Sequence, residues 1–193
     1  MRKLLRANLS RLIKSRTLHL CMAAAFLLSV FFLINLRADN EDLTVLDEII
    51  VQVMPFLPIF YAVFASLFLG VEYQDNTMRN KIIAGHSRAA VYAANLIAVT
   101  IGCLAIMLSW LATAAIGAIK FGGFVQSADV LLLQFAIIAL LTAAISAILT
   151  IIGMLMSNRA VSAVAAILLV FGLSRWAAQS TARFPNRKRP RPS

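Results

Sequence analysis

The chain has 193 residues, of which 61% are hydrophobic and 13% charged, with a mean hydropathy of +0.87. Soluble domains run about half apolar and about a quarter charged, which excludes a single soluble domain, a disordered chain and a disulfide-stapled scaffold. The net charge of +10 gathers between apolar runs rather than across one folded face, so the chain reads as an integral, all-α membrane protein and not as a nucleic-acid binder.

Residues 1–17 carry six basic side chains and no acid. At about 100° per residue, Leu4, Leu5, Leu9, Leu12 and Ile13 share one arc and Lys3, Arg6, Arg11 and Lys14 the opposite one. That pattern predicts an amphipathic helix over 1–17 lying in the membrane interface, its basic face toward anionic head groups. The first apolar run, 18–36, is longer than a signal-peptide core and no small-x-small site follows it, so it reads as a retained anchor. Residues 37–48 hold five acids, and a second run covers 49–71, interrupted near its start by Pro55 and Pro58. Each proline removes a helical hydrogen bond, which predicts a kink or an irregular first turn there.

Three further runs cover 89–119, 130–156 and 160–178. A span needs about 20 residues, so the long third and fourth runs must tilt or project, and the fifth is marginal. The transmembrane domain is thus expected over 18–178. The positive-inside rule puts the N-terminus in the cytoplasm of a multi-pass plasma-membrane protein. Residues 179–193, rich in proline and arginine, read as a disordered basic tail.

Polar residues within the runs are neutral, among them Asn95, Thr113, Thr142 and Ser146. The reading therefore leaves no ionisable group in a span apart from the boundary residues His19 and Lys120 and the uncertain Arg175. It offers no proton relay, no catalytic residues, no cofactor and no metal site, His19 and His86 being far apart. Cys21 and Cys103 lie in apolar runs and read as buried, inert thiols. The small residues of the third and fourth runs suit close helix packing.

The most informative stretch follows the second run, from Glu72-Tyr73 to Ser87-Arg88. Asp75-Asn76 suits a turn, and Asp75 or Thr77 suits a helix cap. The short helix beyond carries Met78, Ile82 and Ile83 on one side and is expected to turn Arg79, Asn80 and Lys81 toward water. Gly85 suits its C-terminal stop and Ser87 the N-cap of the third span.

The order Glu72-Tyr73, Asn76-Thr77-Met78-Arg79-Asn80-Lys81, Gly85, Ser87-Arg88 resembles the cytoplasmic signature of bacterial ABC transporter permeases of the type 2 exporter class. Asn76 stands where that family usually has glycine, and asparagine also tolerates a left-handed backbone. The resemblance covers roughly residues 1–174. It implies a permease subunit of an ATP-driven exporter of peptides, antibiotics or other amphipathic substrates. The partners implied are a cytoplasmic ABC ATPase subunit, a second permease subunit in a homo- or heterodimer, and the lipid bilayer. Coupling to the ATPase would fall on Glu72, Tyr73, Thr77, Arg79, Asn80, Lys81, Gly85, Ser87 and Arg88. The chain contains no G-x-x-x-x-G-K-[ST], so it cannot cradle nucleotide phosphates itself. The alternative is a non-transporting immunity or accessory protein that binds a toxin or partner through its spans.

The family has six spans and five runs are present, which predicts a shortened member lacking the sixth. The basic tail would then either follow a crossing fifth helix outward or remain inside behind a partly re-entrant one.

Overall fold

The computed structural model describes residues 2–39, 56–74, 77–85, 87–121, 128–155, 161, 163–168 and 171–172. The expectations for the rest of the acidic loop, for Pro55, His86 and residues 122–127, and for the basic tail lie outside the described residues. All regular structure among the described residues is helical. In chain order the helices are α1 (Arg2–Ile13), α2 (Arg16–Asp39), α3 (Leu57–Gln74), α4 (Thr77–Ile83), α5 (Arg88–Phe121) and α6 (Ala128–Leu155). Residues 161, 163–168 and 171–172 are helical as well.

Local chemistry sets the ends of these helices. Ser15 caps α2, its Oγ accepting from Leu18 N–H at 3.3 Å, and Ser87 caps α5 through Ala90 N–H at 3.2 Å. Both satisfy a donor that the first turn leaves free. Pro58 falls in the first turn of α3, where its missing N–H costs nothing. Gly85 closes α4 with φ +86°, its N–H donating to Ile82 C=O at 3.0 Å. The glycine stop and the serine cap stand where the sequence put them.

Helices α2, α5 and α6 contain stretches long and apolar enough to cross a membrane, Arg16–Asn35, Arg88–Gly117 and Asp129–Leu155. The apolar part of α3, Leu57–Glu72, is shorter. Helix α5 has 34 residues, or roughly 50 Å at about 1.5 Å each, well beyond a hydrocarbon core of about 30 Å. Its first turns are packed within the protein, with Val91, Ala94 and Asn95 buried.

Helix α3 forms the centre. Tyr61, Phe64, Ala65, Phe68 and Leu69 are all buried, packing with Cys103, Ile106, Met107 and Trp110 of α5, Cys21 and Ala25 of α2, and Leu149 of α6. Ala166, in the last helical stretch, joins the same core. Both cysteines are buried and free. The Phe64 ring of α3 lies directly on the backbone of α5 at Gly102, where a Cβ would overlap it. Apolar lipid provides no hydrophobic drive for helix pairing, so such close contact and interhelical hydrogen bonds hold the bundle. Ser29 Oγ donates to Thr113 Oγ1 at 2.6 Å, Thr100 and Ser146 share a bond of 2.7 Å, and Tyr61 and Thr142 one of 3.3 Å. Among the described residues, Trp110 Nε1 is the buried side-chain polar atom without a partner.

Helix α3 runs past Val71 to Gln74, so Glu72 continues the helix of the second apolar run. One sequence expectation is corrected here. The apolar arc of α1 does not face a single environment. Leu4 packs with Val91 and Ala94 of α5 and Leu12 joins the main core, while Ile13 is 66% exposed.

Candidate functional site

At one end of the bundle α1, α3, α4 and α5 meet around Glu72, whose side chain has no exposed surface. The carboxylate closes a ring of hydrogen bonds. Its Oε1 accepts from Lys81 Nζ at 2.6 Å, and the same ammonium donates to Asn8 Oδ1 at 3.1 Å. Asn8 Nδ2 donates to Asn95 Oδ1 at 2.6 Å. Asn95 Nδ2 returns to Glu72 Oε2 at 2.7 Å. Each asparagine presents its oxygen to one neighbour and its amide nitrogen to the other, so the ring fixes both amide orientations.

Arg11 braces the ring from outside. Its Nη1 donates to Glu72 Oε1 at 2.7 Å and its Nη2 to Phe68 C=O at 3.3 Å. The guanidinium also lies 4.2 Å from the centre of the Phe68 ring, a cation–π contact that favours a positive charge beside this apolar surface. One carboxylate thus meets two cations, with side-chain exposures of 30% for Arg11 and 17% for Lys81. Burying a lone carboxylate is costly. Three donors, two of them charged, supply the compensation that makes Glu72 tenable here.

The nine residues singled out from the sequence do not all join this cluster. Glu72 is its centre and Lys81 a member. Thr77 Oγ1 donates to Glu72 C=O at 3.1 Å, satisfying a carbonyl in the last turn of α3 and fastening α4 to it. Gly85 and Ser87 form the turn into α5. Asn80 and Arg88 are exposed, and the side chains of Tyr73 and Arg79 lie outside the described residues.

The expected orientation of α4 is corrected. Lys81 points inward to Glu72 and Asn8 rather than to water, while Ile82 and Ile83 are exposed, the latter at 73%. The buried carboxylate attracts the ammonium more strongly than the bundle attracts two aliphatic side chains. The sequence reading did not assign Asn8, Arg11 or Asn95 to the site. Asn8 could have been found as a polar residue one turn from Leu4 and Leu12 on the same stripe, and Asn95 as a polar residue early in an overlong run.

Among the described residues no three side chains of His, Cys, Asp or Glu come together to hold a metal ion. Helices α1, α3, α4 and α5, from distant parts of the chain, are thus tied together around one carboxylate.

The ABC-2 family transporter protein model matches residues 4–173. The chain belongs to that family, and is a membrane permease component of an ABC transporter, a transport component that is not itself catalytic. No curated protein and no solved structure matches it.

Proposed function

We propose that this permease is the membrane-spanning subunit of an ATP-driven exporter, coupled through α4 and the Glu72 ring to a separate cytoplasmic ATPase. The supporting observation is the ring itself. A push on α4 reaches Glu72 through Lys81 and Thr77, α5 through Asn95, and α1 through Asn8, because a continuous set of hydrogen bonds joins them, charge-assisted wherever Lys81 or the Glu72 carboxylate takes part. The outward side of α4, with Asn80, Ile82 and Ile83 exposed, is the surface offered to the ATPase. Glu72, Thr77, Lys81, Gly85 and Ser87 transmit or shape the movement, and Tyr73, Arg79, Asn80 and Arg88 belong to the docking segment.

The substrate class that fits is a peptide, antibiotic or other amphipathic molecule, because the buried bundle residues of α3 and α5 are apolar or neutral apart from Glu72. A bacterial plasma membrane, a cytoplasmic N-terminus and a second permease subunit complete the reading.

The test is co-purification with an ATPase co-expressed from the same operon. Ile82→Asp with Ile83→Asp should lose ATPase recruitment. Glu72→Gln should keep recruitment but lose substrate-stimulated ATP hydrolysis. Full recruitment by the double variant, or full stimulation with Glu72→Gln, would overturn the assignment.

A further inference from the structure

Helix α6 turns one hydroxyl per turn toward the bundle. Thr142, Ser146 and Thr150 are all buried and lie four positions apart, hence on one face, while Ile137, Leu140, Ile148 and Leu155 are exposed on the other side. Ser146 donates its own proton to Ala143 C=O at 2.8 Å, so it is the acceptor in its 2.7 Å bond with Thr100 of α5. Thr142 donates to Met107 Sδ at 3.7 Å, so Tyr61 of α3 donates to Thr142 at 3.3 Å. Thr150 donates to Ser146 C=O at 2.7 Å, and among the described residues no donor reaches its oxygen. Thr150 thus repeats Ser146 one turn further on, with its acceptor side unused.

This repeat makes the two directions along α6 unequal. A displacement of one turn, about 5.4 Å, toward the Ala128 end brings Thr150 to Thr100 and Ser146 to Tyr61. Both donors of the neighbouring helices then still find a hydroxyl oxygen. The reverse displacement brings Thr142 to Thr100 but Ile138 to Tyr61, and the buried Tyr61 O–H loses its acceptor, a costly loss in an apolar core. The present register has a stop of its own. Gly153 faces Leu69 of α3, where a Cβ would overlap Leu69 Cδ1. Carrying the glycine off Leu69 brings a side chain onto it, since neither residue four positions away is a glycine. Gly153 would also take the place of the buried Leu149, so the present register is the better packed of the two.

We propose that α6 has a second register, one helical turn toward its Ala128 end, in which Thr150 takes the place of Ser146 at Thr100 and Ser146 that of Thr142 at Tyr61. Leu69 seated on Gly153 is the detent that holds the first register. Packed helices switch between discrete arrangements by such one-turn steps rather than by continuous sliding. The step concerns α3, α5 and α6 alone. It does not rest on the coupling role of the Glu72 ring, and its test needs no ATPase.

The experiment is disulfide trapping in the full chain, in phosphatidylcholine–phosphatidylglycerol nanodiscs oxidised with copper phenanthroline. Cys21→Ala and Cys103→Ala remove the native thiols from every variant. Cleavage at Lys120 after denaturation then shows by mass whether α5 and α6 remain joined. Thr100→Cys/Ser146→Cys should close fastest, because these side chains already touch. Thr100→Cys/Thr150→Cys should close more slowly but to completion, as the disulfide traps the second register. Thr100→Cys/Thr142→Cys, one turn away in the other direction, should close no faster than Thr100→Cys/Leu140→Cys, whose second position is on the exposed side. A disulfide cannot span the extra turn without backbone movement. Adding Leu69→Ala should speed the Thr150 pair about fivefold or more and leave the Thr142 pair unchanged, because the overlap opposing the step is gone. Equal rates for the Thr150 and Thr142 pairs, with and without Leu69→Ala, would overturn the proposal by showing a loose helix without a preferred step. A Thr150 pair that stays open, or one indifferent to Leu69→Ala, would overturn it as well.

Discussion

Arg11 and Glu72 lie 61 positions apart in the chain and meet at 2.7 Å, joining the N-terminal helix to the central helix of the bundle. The contact is charged and half-shielded, and it is shared with Lys81. Its strength depends on the Glu72 side chain being held in place between the two cations. The four expectations below follow from such pairings and from the packing beneath them.

Glu72→Gln should lower stability by about 3 kcal/mol, because it leaves Arg11 and Lys81 facing each other with no carboxylate between them. Lys81→Glu should be at least as damaging, since it sets two carboxylates together, while Lys81→Gln keeps a donor and should be milder. Thermal unfolding of the purified chain in micelles gives the ranking. Equal midpoints for Glu72→Gln and wild type would mean that the ring carries no load.

Gly85→Ala should cost about 1 kcal/mol, because the residue sits at φ +86°, where a side chain is strained. A Cβ there would meet nothing within 4 Å, so the cost is purely conformational. Gly85→Asn should recover most of it, and comparing the two variants by thermal unfolding separates conformation from packing.

Gly102→Ala should be destabilising by about 1–3 kcal/mol, since its Cβ would occupy the space of the Phe64 ring. Phe64→Leu frees that space. The double variant should therefore be more stable than the sum of the single effects, and a double-mutant cycle measures the coupling.

Ser29→Ala and Thr113→Val should each have a small effect and a coupling of about 0.6 kcal/mol, despite their 2.6 Å bond. Polar pairs within membrane helices are worth little on average, because the alternative arrangements also find partners. A coupling several times larger would show that this pair, too, is a structural anchor.

The helices were legible because their signals are local. Apolar length marks spans, Ser87 is a cap with its acceptor in place, and Gly85 is a stop wherever it is read. The short helix between Thr77 and Ile83 was legible for the same reason. Its rotation was not, since the helical wheel assigns Lys81 to water and the aliphatic residues inward. That assignment fails because it weighs each side chain against solvent, whereas Lys81 is decided by a carboxylate on another helix. Arg11 was misplaced in the same way, by a wheel that put it with Lys3, Arg6 and Lys14 on one outer face. The closing member of the ring, Asn95, is separated from Asn8 by 87 positions, and no periodicity within a single run reports such a pairing.

The ring also imposes an order on the birth of the protein. Asn8 and Arg11 emerge first, Glu72 and Lys81 much later, and Asn95 last of all. A nascent chain that has reached Glu72 carries a carboxylate at the end of an apolar helix with Arg11 as its first partner. Lys81 follows from the next helix. Until residue 95 is made, Glu72 Oε2 and the Asn8 amide still lack the partner that they have in the finished fold. A chain that stops between these points has the two charged partners of Glu72 but lacks the amide that closes the ring. Completion of α5's first turns is thus the step that supplies the last partner of the ring.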